Sequence, residues 1–201
     1  NVKVEKMTNI LSTVNYTFEK GTTNEEIEKV YKELISEIVV DKEGNVKEGV
    51  KAFDVDLKEE QTKARESDDY DKNLAVFIYT NPESNDKYYV LPMRGNGLWG
   101  AVWGYLSIES DFKTVYGVKF DHESETPGLG AEITKDWFIA QFPEKVAYDE
   151  DNNVVLSILK GKGNELTQHT VDGISGATIT GKGANDMVNA DLTDYTPYIP
   201  E

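Results

Sequence analysis

The sequence of 201 residues contains no cysteine, which excludes disulfides, thiolate metal sites, cysteine nucleophiles and cofactors linked through cysteine. It contains only two histidines, His122 and His169, and neither has a partner at the spacing of metal ligands. Aspartate and glutamate are plentiful but follow neither the EF-hand nor the HExxH pattern. Ser175 lacks the G-x-S-x-G context of a hydrolase nucleophile. The sequence therefore predicts neither a metal site nor a hydrolase.

Long apolar runs and positive charge are also scarce. No run approaches the roughly 18 apolar residues that a membrane-spanning helix needs, and no signal peptide is recognisable. Because the sequence starts at Asn1 without methionine, we expect that a membrane anchor precedes it in the complete protein. Lysine and arginine number 21 against 37 aspartates and glutamates, a formal net charge of −16. This balance argues against nucleic acids and anionic membrane surfaces as partners.

The residues that are present favour one α+β domain. Hydrophobic residues make up 38% of the chain, with three Trp, eleven Tyr and seven Phe, which is enough for a substantial core. Helices cluster at the start and strands in the middle, which favours a mostly antiparallel sheet flanked by helices, with the N-terminal helices packed on it. We expect a single domain over 1–201, with a helical segment at about 1–40 and a β-rich core at about 46–190.

Hydrophobic periodicity gives approximate element positions. Helical spacing predicts a first helix over 3–14 and a second helix that is capped by Asn24-Glu25-Glu26. The second helix is expected to bury a stripe extending to Ile35 and Ile38. The other expected helices run through Trp137 and over 181–190. Runs of β-branched and aromatic residues predict strands at 46–50, 52–55, 74–80, 87–93, 101–108, 114–120 and 154–159. The absence of a Rossmann glycine pattern and of a Walker loop argues against nucleotide binding by those routes.

One stretch carries the strongest functional signal, Val171-Asp172-Gly173-Ile174-Ser175-Gly176-Ala177-Thr178-Ile179-Thr180. Its small residues and glycines predict a chain reversal that ends at a helix start. Ser175, Thr178 or Thr180 could cap that helix, whose free N–H groups would attract a phosphate. A capped loop with nothing bound is the alternative interpretation of these residues taken alone.

The order Asp172-x-x-Ser175-Gly176-Ala177-Thr178 resembles the flavinylation motif of the FMN-binding domain family. The resemblance implies that Thr178 carries FMN through a phosphoester bond and that a separate flavin transferase installs it from FAD. It further implies that Asp172 assists this transfer. The chemistry requires an exposed hydroxyl with small neighbours such as Gly176 and Ala177, so that the transferase can reach it.

Two further loops support the same resemblance. Residues 125–130, Glu-Thr-Pro-Gly-Leu-Gly, resemble the family element that shapes the isoalloxazine pocket. Residues 95–100, Gly-Asn-Gly-Leu-Trp-Gly, resemble the GxGLW segment found in the NqrC proteins of sodium-translocating NADH:quinone oxidoreductases. The residues expected to bind the flavin are then Glu125, Thr126, Gly128, Leu129, Gly97, Leu98 and Trp99. Core packing explains each large apolar side chain equally well.

Lys160 and Lys162 are candidate contacts of the flavin phosphate, although a solvated turn explains each lysine equally well. The resemblance implies an electron relay that passes single electrons among other subunits of a membrane complex. The relay protein would not oxidise NADH itself. The domain would face the periplasm or exterior, tethered to the cytoplasmic membrane by one N-terminal helix. The alternatives are the corresponding flavoprotein of an Rnf ferredoxin:NAD oxidoreductase complex, and an acidic exported binding or adaptor module without a redox role.

Overall fold

A six-stranded antiparallel sheet organises residues 1–199, the part of the chain that the computed structural model describes. The sheet strands are β1 Ile35–Val40, β2 Val46–Lys47, β3 Leu74–Thr80, β4 Lys87–Asn96, β5 Ala101–Ile108 and β6 Val115–His122, in the order β2-β1-β3-β4-β5-β6. A separate parallel pair joins β7 Ser157–Ile158 to β8 Thr170–Val171. The helices are α1 Val2–Ser12, α2 Asn24–Leu34, α3 Leu57–Glu66, α4 Asp136–Ile139 and α5 Thr178–Tyr195. The predicted α+β class is confirmed.

Each face of the sheet buries its own layer of helices because side chains alternate along a strand. On β3, Val76 belongs to the cluster that contains the buried side of α5, whereas Phe77 belongs to the cluster that contains α1 and α2. The N-terminal helices therefore cover one face, as the sequence predicts. The other face carries α5, and the candidate site lies at the start of that helix.

Hydrogen bonds at its C-terminal end join α5 to β3 and to the segment that follows α4. The Tyr195 hydroxyl donates to the carbonyl oxygen of Ala75 at 2.6 Å, and the Tyr148 hydroxyl donates to that of Leu192 at 2.5 Å. Nearer its N-terminal end, a Cβ at Gly183 would overlap the carbonyl of Asn96. Glycine therefore lets α5 pack directly against the end of β4, which places the helix start beside the loop that follows β4.

The second predicted helix is too long. Ile35 and Ile38 lie in β1, where Ile35 pairs with Tyr79 of β3, so the helical part of the 1–40 segment ends at Leu34. Apolar residues at these positions suit either a helical stripe or a strand, and pairing with β3 decides between the two. The cap of α2 is Thr23, which forms a capping box with Glu26, and not Asn24.

Other boundaries also differ from the sequence prediction. The strand expected at 52–55 is instead a 3-10 turn, Ala52–Asp54, and the strand expected at 154–159 is reduced to β7. The closing helix is longer than 181–190, because α5 begins at Thr178 and ends at Tyr195.

Over residues 1–199 we find no helix with the length and apolar character needed to span a bilayer.

Candidate functional site

Thr178 is the first residue of α5, and its side chain is exposed. The preceding turn is anchored by Ile174 and Ala177, which are buried in the main core cluster. Gly176 adopts a left-handed backbone with φ 77°, which favours glycine. The turn thus buries its apolar residues and presents Ser175 and Thr178 to solvent.

The predicted side-chain cap of this helix is wrong. The N-cap position is Ala177, and no side chain caps α5 there. Thr180 lies inside the first turn, and its hydroxyl donates to Glu125 rather than to the helix backbone. The first N–H groups of α5 are therefore left without a side-chain acceptor, and an uncapped helix N-terminus favours an anion.

A cleft of about 250 Å³ opens beside Thr178, between α5 and the segment around β7. Its apolar wall includes Ile158, Leu159 and Ile174, and its polar rim includes Thr178, Lys160 and Lys182. Both lysines are exposed. An apolar wall with cations at its rim suits a molecule that has an apolar ring and a negatively charged end.

Lys162, the second candidate phosphate contact, does not line this cleft. Its ammonium group lies 3.6 Å from the centre of the Trp137 ring, a cation–π contact. Trp137 in turn donates from Nε1 to Glu132 at 2.7 Å. The structure therefore places Lys160 near Thr178 and holds Lys162 on an aromatic ring.

The Glu125 carboxylate joins the three sequence motifs. It is buried, Oε1 accepts from the backbone N–H of Trp99 at 2.8 Å, and Oε2 accepts from the Thr180 hydroxyl. A Cβ at Gly97 or at Gly130 would overlap this carboxylate, so both glycines make room for it. One side chain thus holds together the loop after β4, the 125–130 loop and the first turn of α5.

Large apolar side chains are exposed around this junction. Leu98, Trp99, Leu129 and Ile179 are 46%, 65%, 41% and 57% exposed, half of the exposed large hydrophobic residues of the described chain. Leu129 lies over the motif turn, since a Cβ at Gly176 would be 3.1 Å from its Cδ2. In this turn Thr126 and Gly128 are exposed, and the Thr126 carbonyl accepts from the N–H groups of Leu129 and Ala131.

The two loops do not line the cleft beside Thr178. The sequence motifs predict that the loops around 95–99 and 125–130 form its walls, but its lining comes from residues 158–161 and from 174–185. Thr178 lines this cleft, and Leu129 lies over Gly176, two residues before Thr178. The two loops lie away from this cleft because the Glu125 carboxylate binds them to α5 near Thr180.

Asp172 faces the turn before the motif. Its carboxylate accepts from the Asn164 side chain at 2.8 Å, from the Asn164 backbone at 3.0 Å and from the Gly163 backbone at 3.1 Å. These hydrogen bonds, led by that of the Asn164 side chain, hold the pKa of Asp172 below its usual value. The carboxylate therefore stays ionised and shapes the 161–164 turn, whose first residue lines the Thr178 cleft.

Comparison with known proteins identifies the family. Residues 97–193 match the FMN-binding domain. The NqrC protein of the Na(+)-translocating NADH-quinone reductase of Pasteurella multocida is 34% identical over 195 residues, which cover 92% of this chain and 74% of that protein. The chain belongs to the NqrC family of Na(+)-translocating NADH-quinone reductases. The equivalent protein of Vibrio campbellii is 36% identical over 126 residues, 62% of this chain and 48% of that protein. The chain thus spans about half the length of the Vibrio relative that it matches.

Solved structures of NqrC proteins share this fold. The crystal structure of the protein from Parabacteroides distasonis has a TM-score of 0.85 and 33% identity, and the match covers 100% of this chain and 94% of that one. The Shewanella oneidensis protein has a TM-score of 0.78 at 22% identity, which shows the common fold. The resemblance to the FMN-binding domain family and to NqrC is confirmed.

Three residues of this NqrC domain contribute to the site in ways that the sequence pattern does not predict. Lys182 lies on the rim of the Thr178 cleft, and Thr180 and His122 form hydrogen bonds with Glu125. Lys182 lies four residues after Thr178, so a helix that begins at Thr178 places both side chains on one face. Because the sequence pattern predicts that the helix starts at 181, it does not show that Thr178 and Lys182 share a helix face. His122, for which the sequence suggests no role, accepts through Nδ1 from the backbone N–H of Glu125 at 3.1 Å and so helps to position Glu125.

Proposed function

We propose that this domain carries FMN through a phosphoester bond to Thr178 and relays single electrons in a sodium-translocating NADH:quinone oxidoreductase. The supporting observation is the setting of Thr178. Its side chain is exposed at an uncapped helix N-terminus and lines a cleft with two lysines on its rim. Ser175 is also exposed but does not line the cleft.

The residues present fit such a group. Thr178 supplies the hydroxyl oxygen for the ester, while the N-terminus of α5 and the ammonium group of Lys160 offset the phosphate charge. Lys182 lies on the same rim, where it also pairs with Asp186. The cleft wall supplies apolar surface beside Thr178, and Leu129 and Trp99 expose further apolar surface over the motif turn and at the Glu125 junction. When bound, FMN supplies one-electron chemistry, and the chain's contribution is to hold and orient it.

The remaining parts of the proposal concern the complete protein. The domain would pass electrons between redox centres of other subunits without oxidising NADH itself. A flavin transferase would attach the cofactor during maturation, with Asp172 assisting. An N-terminal anchor helix would tether the domain to the cytoplasmic membrane on its periplasmic or outer side. The name of the relatives describes a Na(+)-translocating NADH-quinone reductase, which supports the part of the proposal that places the domain in such a complex.

Co-expression with a flavin transferase and a supply of FAD tests the proposal. We expect a yellow protein whose flavin fluorescence stays with the polypeptide on a denaturing gel, with one FMN per chain. A matched culture without transferase should give a protein with no covalent flavin. A chain that remains colourless with active transferase would overturn the proposal and favour the adaptor interpretation.

The rim lysines give a graded prediction. Lys160→Gln and Lys182→Gln should each slow the initial rate of flavin attachment about 1.4- to fivefold, because an exposed charge contributes about 0.2–1 kcal/mol to such a contact. Lys162→Gln is the matched control, since that ammonium lies on the Trp137 ring. Time courses of gel fluorescence measure the rates. Equal slowing in all three variants would contradict the assigned rim.

Leu129 gives a spectroscopic prediction. If the flavin ring packs on this side chain, Leu129→Ala should leave attachment at Thr178 intact but shift the flavin absorbance and fluorescence. The loss of unfolding free energy in the flavin-free protein should stay below about 1.5 kcal/mol, because the side chain is already 41% exposed. Leu166→Ala is the control, with a similar exposure of 39%. An unchanged spectrum together with a large loss of stability would show that Leu129 is a core residue.

A further inference from the structure

Both arginines of the chain, Arg65 on α3 and Arg94 on β4, line a second cleft. This cleft has a volume of about 400 Å³ and lies between α3, the end of β4 and α5. It shares no lining residue with the cleft that contains Thr178. Its contents therefore need not be the flavin or its phosphate.

Neither guanidinium has a carboxylate partner in the part of the chain that the structure describes. Among residues 1–199, no carboxylate lies within ion-pair distance of Arg65 or Arg94. Arg94 donates from Nη1 to Oε1 of Gln61 at 3.2 Å, and Gln61 Nε2 donates back to the Arg94 carbonyl at 2.6 Å. Gln61 is neutral, so this exchange holds the Arg94 side chain in place without compensating its charge. In a chain of net charge −16, two arginines without a carboxylate partner in one cleft call for a physical reason.

The acidic residues at this cleft are already engaged. Asp186 pairs with Lys182, and Asp191 accepts from the backbone N–H of Arg94 at 2.9 Å. Lys72 pairs with Asp194 at 2.6 Å. Burial, reinforced by the nearby charge of Asp194, raises the pKa of Asp191 to about 7, so this carboxyl is only partly ionised at neutral pH. Within residues 1–199, these acidic groups therefore do not form ion pairs with Arg65 or Arg94.

We propose that this cleft binds a small molecule bearing a phosphate or carboxylate group, with Arg65 and Arg94 both donating to the oxyanion. Guanidinium groups present several N–H donors in a planar fork that matches such oxyanions. The volume lies within the range of about 300–1,000 Å³ that small-molecule sites occupy. The partly ionised Asp191 limits the repulsion that an anion would otherwise meet.

Asp191 links this binding to pH. The titratable and charged groups that line the cavities around it are Glu60, Lys72, Asp186, Asp194, Tyr195 and the two arginines. A bound oxyanion makes ionisation of Asp191 less favourable, so binding is coupled to proton uptake and weakens as the pH rises. An anion that raised the pKa by about one unit would bind about fivefold more weakly at pH 8 than at pH 6. Asp191→Asn should remove most of that dependence.

Titration of the chain with sulfate and with succinate tests the proposal. Sulfate represents the phosphate class with a charge that is constant from pH 6 to 8, and succinate represents the carboxylate class. With ionic strength held constant by chloride, two-dimensional NMR should show saturable shifts of the Arg65 and Arg94 side-chain N–H signals and of the Gly95 and Asn96 amides. The probe that binds more tightly identifies the class of the oxyanion.

Variants distinguish a specific anion-binding site from nonspecific electrostatic attraction. Arg94→Gln should weaken binding about tenfold, which corresponds to the loss of one charge-assisted hydrogen-bonding group. Arg65→Gln should act similarly and lies on an exposed helix position that tolerates the change. Lys20→Gln, an exposed position with the same change of charge, is the control and should have no effect. The proposal fails if neither probe saturates, or if Lys20→Gln weakens binding as much as Arg94→Gln.

Discussion

Thr178→Val is expected to abolish covalent flavin in chains co-expressed with the transferase, a loss of at least about a hundredfold in gel fluorescence. Valine keeps the branched shape and removes the hydroxyl that forms the ester. Because Thr178 is exposed and caps nothing, the fold should survive, with a change in the free energy of unfolding within about 0.5 kcal/mol. Circular dichroism and thermal melting of the flavin-free protein check that the fold is intact.

Two variants serve as controls for this result. Thr178→Ser keeps a hydroxyl at the same position of α5 and should retain attachment, although more slowly if the methyl group helps to orient it. Ser175→Ala removes the other exposed hydroxyl of the turn, which does not line the cleft, and should still yield flavin on Thr178. Full attachment in Thr178→Val would show that another hydroxyl is the acceptor.

Glu125→Ala is expected to cause the largest loss of stability. The change removes the acceptor for the Trp99 N–H and the Thr180 hydroxyl inside a buried junction. Two hydrogen bonds to a charged group, at about 1.5–2 kcal/mol each, predict a loss of about 3–4 kcal/mol in the free energy of unfolding. For a chain of this size the melting temperature should fall by about 10 °C. Urea denaturation of the flavin-free protein measures the free energy directly.

Glu125→Gln distinguishes hydrogen bonding from charge. The amide oxygen can still accept from Trp99, and the amide nitrogen can donate to Thr180, whose hydroxyl also accepts. The loss should therefore stay below about 1.5 kcal/mol. Glu165→Ala, at an exposed glutamate, removes the same charge and should change stability by less than about 0.5 kcal/mol. Equal losses in Glu125→Ala and Glu165→Ala would contradict the role assigned to the junction.

Local patterns in the sequence predict much of this fold. The hairpin of β3 and β4 follows from two β-rich runs around a polar loop, and α1 and α2 follow from their apolar spacing. The strand at Ile35 does not follow, because pairing with the distant strand β3 decides it. The pattern predicts that α5 starts at 181, three residues late, because Thr178–Thr180 continue the Ser/Gly/Thr-rich stretch that predicts a chain reversal. Only the contact with Asn96 shows why glycine is needed at position 183.

Part of the candidate site can also be predicted from local sequence, and part depends on contacts between distant residues. The motif order from Asp172 to Thr178 can be read locally, and the structure presents Thr178 on the surface as the chemistry requires. The role of the Glu125 carboxylate cannot be read locally, since its partners Trp99 and Thr180 lie 26 and 55 residues away. Lys182 becomes recognisable only once the first residue of α5 is known.

The most direct test of the central claim is peptide mass mapping of the chain after flavinylation. Trypsin cleaves after lysine, so one peptide covers residues 163–182 and contains Ser175, Thr178 and Thr180. We predict that this peptide carries one FMN and that fragmentation places it on Thr178. Flavin on Ser175 or Thr180, flavin on another peptide, or an unmodified 163–182 peptide from a flavin-containing chain would contradict the account.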